Sequence, residues 1–228
     1  MFSHVTFLKY FASCAFIILF LQAKTIDRFF PPLVFFPKNE DLNRIIEEHV
    51  EIQLKGLKEG SFWTTLRDEP KTEAYRFLWL SVGEPPTVIT IKKSNESISL
   101  HVSQHDGGPG FTVGKLVTDK RLILNNNEWG ELVECVKDSN FWSLPAEVKE
   151  SGGMADGDVI FLEGIKSKQY HIMHRNIFTM GERCKTICRF MLIKSKERIV
   201  DAWDERCRKA RMLHDYRAEP PQTPDLEG

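Results

Sequence analysis

Hydrophobic positions recur every three or four residues in residues 39–58, with polar and acidic residues between them. This spacing predicts an amphipathic helix that either Asn39 or Asp41 caps. The same pattern predicts a helix over residues 126–139, capped by Asn126 or Asn127, and a last core helix that begins near residue 182. The apolar face of that last helix would consist of Cys184, Ile187, Cys188, Met191 and Leu192.

Between these helices the hydrophobic period changes to two. Residues 74–82 place Tyr75, Phe77 and Trp79 on one face and further apolar residues on the other, which is typical of a central strand. Polar turns separate this strand from the next two, and the pattern indicates an antiparallel meander. The further strands are predicted at residues 87–93, 97–103, 115–124, 158–165 and 169–175.

These elements predict an α+β fold, an antiparallel sheet of about five or six strands with helices packed on one face. The chain has 228 residues, and we expect a single such domain at residues 39–195. Residues 196–217 are dense in charge with a thin apolar stripe, which predicts a solvated helix. Residues 218–228 are rich in proline and acidic residues, which predicts a disordered tail.

An uncharged apolar run occupies residues 10–23, behind His4 and Lys9. A basic start followed by such a run is typical of a signal peptide, with cleavage after Ala23. Counted from Val5, the run approaches the roughly 20 residues of a membrane anchor. Residues 1–23 are therefore predicted to be a signal peptide or a membrane anchor, and either function makes the protein secreted or membrane-tethered. The alternative is a buried helix of a cytosolic protein.

Residues 24–38 contain four phenylalanines and three prolines, and the prolines exclude a helix. Two alternatives follow from this composition. The segment rests at a membrane interface, which would give membrane contact through residues 5–36, or it packs as an extended arm onto the domain.

The formal net charge is −1, so charge gives no indication of nucleic-acid binding. Cys14 lies in the apolar run, and the four other cysteines would permit two disulfides after export without requiring any. Cys184 and Cys188 would lie side by side on one helix, where disulfide geometry disfavours a bond. We interpret the four as buried core cysteines, namely Cys135, Cys184, Cys188 and Cys207.

Short blocks in residues 74–193 resemble a group of short, mostly bacterial hypothetical proteins of unassigned function. In order, the blocks are Tyr75-Arg-Phe-Leu-Trp79, Asp106-Gly-Gly-x-Gly110, Gly114-Lys-Leu116, Glu128-Trp129, Phe141-Trp-x-Leu-Pro145, Asp156-Gly157, Leu162-Glu-Gly164 and Tyr170-His171. Members of that group often carry tryptophan where this chain has Ile160. They also often carry Arg-Trp-Ser-Pro where this chain has residues 175–178. The resemblance implies a domain boundary and no mechanism.

Motifs for phosphate loops, nucleophile elbows, zinc-binding helices and Cys-x-x-Cys pairs are absent from the sequence, and we expect no cofactor and no metal. His101 and His105 would be about 13 Å apart along one strand, too far for a shared ion. We interpret both as members of a solvated polar face.

The weak catalytic candidates are Asp106, Asp156, Glu163 and His171. Asp106 and Asp156 each precede a glycine, where an aspartate commonly fixes its own turn. If their loops met at one end of the sheet, these carboxylates with His105 or His171 could form an acid/base site or a calcium site. Asn95-Glu-Ser97 is a possible glycosylation site at Asn95, which matters only for an exported protein.

Three functional hypotheses follow. The first is a non-enzymatic extracytoplasmic or membrane-tethered domain that binds an unknown protein or envelope component. The second is a small hydrolase that uses the loop carboxylates and His171. The third is a cytosolic interaction protein that binds its partner through the charged C-terminal helix.

Overall fold

In the computed structural model, which describes residues 28–95, 97–108, 110, 112–146 and 158–218, six strands form one antiparallel sheet. The strand order is β4-β3-β2-β1-β5-β6, so the first four strands form a meander and the β5–β6 hairpin adds to the free side of β1. The prediction of an antiparallel α+β fold is confirmed. The strands are β1 Glu73–Leu80, β2 Thr87–Ser94, β3 Ser97–His105, β4 Leu116–Ile123, β5 Val159–Lys166 and β6 Gln169–Asn176.

The described helices are α1 Glu40–Gly56, α2 Phe62–Asp68, α3 Asn126–Asp138, α4 Glu182–Ser195 and α5 Ile199–Ala218, with a 3-10 turn at Phe141–Ser143. Asn39 caps α1, as predicted, and Asn125 caps α3 one residue earlier than predicted. The helix α2 lies between the predicted helix at residues 39–58 and the predicted strand at residues 74–82, where the hydrophobic pattern predicts no element. Ser61 caps α2, and Phe62 and Leu66, one turn apart, supply its buried side.

Helices cover both faces of the sheet and not one, which corrects the predicted layering. Tyr75, Phe77 and Trp79 point to one face, where α3, α4 and α5 pack; we call it the C-terminal face. Leu78 and Leu80 point to the other face, which we call the N-terminal face. Residues 28–38, which we call the Phe/Pro arm, pack there together with α1 and α2. Because β1 is buried along almost its whole length on both sides, a single helical layer would leave apolar surface in water.

The Phe/Pro arm packs onto the N-terminal face, the second of its two predicted alternatives. Phe29, Phe30 and Phe35 are 9%, 2% and 1% exposed, so these rings face the protein core and no membrane. The Asn43 side chain accepts hydrogen bonds from the backbone N–H groups of Phe35 and Phe36, which fixes the arm to α1. The other part of the predicted membrane contact, residues 5–27, lies outside the described residues.

The charged helix α5 also belongs to the packed unit. Its apolar stripe is buried on the C-terminal face, and the Trp203 ring lies edge-on to Phe77 and to Trp79 at 5.3 Å. The packed unit therefore includes the arm and α5 in addition to residues 39–195. Of the predicted tail, Ala218 is the last residue of α5 and residues 219–228 lie outside the described residues.

Candidate functional site

The residues predicted to form a hydrolytic site do not converge. Asp106 follows β3 and His171 lies on β6, four strand positions away, which is roughly 19 Å at about 4.8 Å per strand. Glu163 pairs across β5 and β6 with Ile172, so Glu163 and His171 point to opposite faces of the sheet. Asp156 lies outside the described residues. The described members of this set therefore cannot act on one substrate atom.

Glu163 belongs instead to a buried ionic network on the N-terminal face. The Arg76 guanidinium donates to Glu163 at 2.8 Å and to Glu59 at 3.1 Å, and the Tyr170 hydroxyl donates to Glu163 at 2.7 Å. The side chains of Arg76 and Glu163 are each 2% exposed. The Arg76 guanidinium also stacks 3.9 Å above the Phe62 ring. The ionic network consists of Lys58, Glu59, Arg76, His101, Asp119, Glu163 and Tyr170.

His101 extends the network towards the edge of the sheet. Its Nδ1 lies 2.6 Å from Glu59 and its Nε2 lies 3.0 Å from Asp119, while Lys58 approaches Asp119 at 2.6 Å. Because each ring nitrogen faces a carboxylate, both must donate, which requires the imidazolium form. The hydrogen bond to Glu59 is the main cause of a raised pKa of His101, and the contact with Asp119 adds to it. The earlier interpretation of His101 as a freely solvated residue is wrong.

The charges of the network balance. Burial alone would raise the pKa of Glu59, but Arg76 and His101 together lower it below its ordinary value. Burial raises the pKa of Glu163, and Arg76 and Tyr170 oppose that rise. With His101 protonated, three cations face three carboxylates, and their donors and acceptors point at one another. The network therefore ties the sheet to the segment after α1.

His105 holds the loop after β3 against α1, and it is fully buried where a solvated residue was predicted. Its Nε2–H donates to the Gln53 side-chain oxygen at 2.7 Å, and its Nδ1 accepts from the Gly107 N–H. These bonds fix the neutral imidazole, in agreement with the lowered pKa that burial gives His105. Gln53 and His49 also donate to the Gly110 carbonyl.

Asp106 closes the same loop. It is exposed, and its carboxylate accepts from the backbone N–H of Lys115 at 2.6 Å. Gly107 and Gly114 approach so closely that a Cβ on either would overlap the backbone of the other. Asp106 therefore fixes its turn, which is the structural alternative to a catalytic role.

His171 lies in an aromatic pocket on the C-terminal face. Its ring is 4.7 Å from Phe141 and 6.3 Å from Trp142, and burial lowers its pKa. Its Nε2 has no hydrogen-bond partner among the described residues. No described carboxylate bonds this nitrogen, and Asp156 lies outside the described residues, so a catalytic role of His171 stays a prediction.

Asp158, the residue before β5, is buried beside Ser81. The Ser81 hydroxyl donates to Asp158 at 2.5 Å, and Arg206 of α5 lies 3.7 Å from the other carboxylate oxygen. Arg206 also donates to the Val82 carbonyl. These contacts join α5 to the end of β1, and no local pattern predicts them because they link three segments that are distant along the chain.

Cys135, Cys184, Cys188 and Cys207 are all free thiols, and the last three are buried. Burial raises the pKa of Cys184, of Cys188 and of Cys207, the last to about 11, so these thiols stay protonated at neutral pH. The interpretation as core cysteines holds for these three, whereas Cys135 is half-buried. Asn95 is exposed at the turn between β2 and β3, with a left-handed φ of 52°.

A groove of about 600 Å³ crosses the outer surface of the helical layer on the C-terminal face. One side of α4 forms its floor, α5 forms one wall, and Cys135 of α3 contributes to the other. We call it the helical groove. Its apolar lining includes Phe190, Ile193 and Trp203, and its charged lining residues are Lys185, Arg189, Arg208, Arg211, Glu182 and Asp204. Sequence patterns did not predict this groove because three helices build it in tertiary contact.

Among the described residues, no group of three or more histidine, cysteine, aspartate or glutamate side chains is placed to hold one metal ion. None of the described helices is both long and apolar enough to cross a membrane. Comparison with models of known protein families and comparison with curated proteins both give no match for this chain. The resemblance to short bacterial hypothetical proteins therefore stays a prediction, and the function has to be argued from the geometry.

Proposed function

We propose that this chain is a non-catalytic binding domain, exported or tethered by its N-terminal apolar segment, and that it binds a protein or an envelope component in the helical groove. The groove carries the proposal. It places the exposed Ile193 and the half-buried Phe190 beside a cluster of cations on packed helices, and ligand sites are concave surfaces that combine apolar lining with a few convergent polar groups. The described catalytic candidates, in contrast, are separated from one another or enclosed.

Site-specific photocrosslinking in the native host tests the binding surface. A benzophenone amino acid replaces Ile193, which lies in the groove and is 44% exposed. The matched control carries it at Ile123, which is 77% exposed on β4, away from the groove. We expect a defined adduct from position 193 and none from position 123. The same adducts at both positions, or no adduct at either, would contradict the groove as the binding surface.

The location is tested by intact mass of the protein recovered separately from soluble and membrane fractions. Loss of residues before about Lys24 would mean export, and a full-length mass in the membrane fraction would mean an anchor. A full-length mass in the soluble fraction would contradict both. It would favour the cytosolic interaction protein, whose charged helix α5 forms a wall of the same groove.

A further inference from the structure

The volume of the helical groove suits one small ligand. About 600 Å³ lies within the range of roughly 300–1,000 Å³ that small-molecule sites occupy. The groove is open along one side and rests on three packed helices. A ligand of this size would contact α4 and α5 together, and it would need no opening of the core.

The apolar lining of the groove comes from all three helices, and only part of it is exposed. Ile193 is 44% exposed and Phe190 is half-buried, while Trp203 below them is 1% exposed. Cys207 and Cys135 add two further side chains of low polarity. Such a lining favours a hydrocarbon chain, because removing apolar surface from water is favourable in proportion to its area.

The rim of the groove is cationic, although the whole chain has a net charge of −1. Arg189, Arg208 and Arg211 are exposed there, Lys185 is buried, and two carboxylates, Glu182 and Asp204, lie beside them in the lining. An anionic headgroup is therefore the complement of this rim.

Arg208 and Arg211 can turn to a ligand at a small cost in free energy, whereas Arg189 and Lys185 are held by carboxylates. Arg189 is held by Asp204 at 2.8 and 2.9 Å, and Lys185 is held by Glu182 at 2.8 Å. Arg211 is 60% exposed and lies 3.9 Å from Glu182, and Arg208 is 61% exposed in a surface pair with Glu205. Exposed pairs of this kind contribute little. Arg208 and Arg211 lie one turn apart on α5, where their planar groups can share one acid.

We propose that the helical groove binds a single-chain amphiphilic carboxylate, with its hydrocarbon chain on Phe190 and Ile193 and its headgroup on Arg208 and Arg211. This inference rests on the proposed function, because it names the class of envelope component that the binding domain takes.

The test uses the full chain and a dodecanoate that carries a photoreactive diazirine, with the labelled peptides identified by mass spectrometry. Mapping is essential because the N-terminal apolar segment can also take up the probe. We expect labelling in peptides of α4 and α5, and competition by unlabelled dodecanoate. Dodecanol and dodecyltrimethylammonium, which have the same chain without the negative charge, should compete at least about tenfold more weakly, because a charge-assisted hydrogen bond is lost.

The variant Arg208→Gln/Arg211→Gln should reduce labelling of the groove by about tenfold or more. The matched control is Lys209→Gln, which removes one exposed cation from the same helix outside the groove lining and should leave labelling unchanged. Circular dichroism checks that both variants fold.

Label confined to the N-terminal segment, equal competition by dodecanol, or labelling that the double substitution does not change would each overturn the inference. A protein adduct from position 193 without any dodecanoate labelling of the groove would also overturn it, and would leave the proposed binding function standing.

Discussion

Replacing Arg76 with methionine removes the cation that contacts both buried carboxylates of the ionic network, Glu59 and Glu163. Methionine retains most of the buried length of the side chain, so the main effect is electrostatic. The Glu163 side chain is 2% exposed and that of Glu59 is 6% exposed, and water cannot replace the lost guanidinium. Removing one partner of a buried ion pair costs about 3–5 kcal/mol, and we expect a loss in that range.

Two further substitutions separate charge from packing. Glu163→Gln keeps an acceptor for Arg76 and leaves Arg76 paired with Glu59, so we expect a loss of about 1–2 kcal/mol. The double variant Arg76→Met/Glu163→Leu removes the unpaired carboxylate that the single substitution leaves. It should therefore be more stable than Arg76→Met alone, with a coupling of about 1–3 kcal/mol.

Urea unfolding of the full chain at neutral pH measures these differences through the midpoint and the slope. Arg44→Met is the control, because Arg44 is a 71% exposed arginine in a surface pair with Asp41. It should change the free energy of unfolding by less than about 0.5 kcal/mol. If Arg76→Met cost no more than this control, or if the double variant lost the sum of the losses from Arg76→Met alone and Glu163→Leu alone, the account of the network would be wrong.

The free energy of unfolding should be highest near pH 6.5, the ordinary pKa of histidine. The raised pKa of His101 gives stabilisation that is complete below pH 6.5 and is lost as the pH rises through the folded pKa. Burial lowers the pKa of His105 and lowers the pKa of His174 to about 4. These two residues give stabilisation that is complete above pH 6.5 and is lost as the pH falls through their folded pKa values. Urea midpoints across this range check it, and His101→Gln should remove the alkaline decline alone. Gly164→Ala should cost about 1–3 kcal/mol in thermal or urea unfolding, because its Cβ would lie 2.8 Å from Phe141 and 3.1 Å from Tyr75. Gly130→Ala in α3 meets nothing within 4 Å and should stabilise by about 0.5–1 kcal/mol. Asn125→Ala should cost about 1 kcal/mol by the same measurement, since it removes the capping box of α3.

The strand pattern was predictable because period-two alternation is a local signal. In β3, Ile98, Leu100 and Val102 identify the buried side, and the same alternation predicted the meander. The covering of the second face was not predictable in the same way. Apolar residues on both sides of β1 indicated that both faces needed cover, but the arm that supplies part of it has no period that a pattern could detect.

Two residues of the ionic network, Arg76 and Glu163, stand out in the sequence as single charges within apolar strands. Arg76 is the single charge in Tyr75-Arg-Phe-Leu-Trp79, and Glu163 is the single charge in Val159-Ile-Phe-Leu-Glu-Gly-Ile165. A lone charge in a buried strand requires an opposite partner. The sequence could thus have predicted that each residue is paired. It could not have predicted that they pair with each other, because they are 87 residues apart and meet only through the register of β1 with β5.

The packing of the arm limits how the N-terminal segment can be processed. Phe30 and Phe35 fill the N-terminal face beside Phe161. The ring centre of Phe35 lies 5.2 Å from that of Phe30 and 5.8 Å from that of Phe161. A cut that removed Phe29, Phe30 and Phe35 would expose apolar residues of the same cluster, namely Leu78, Leu80 and Phe161. Cleavage after Ala23 leaves all of these contacts in place, and an uncleaved anchor does as well. An export signal and a complete core are therefore compatible in this chain, provided that any cut falls before the first buried phenylalanine.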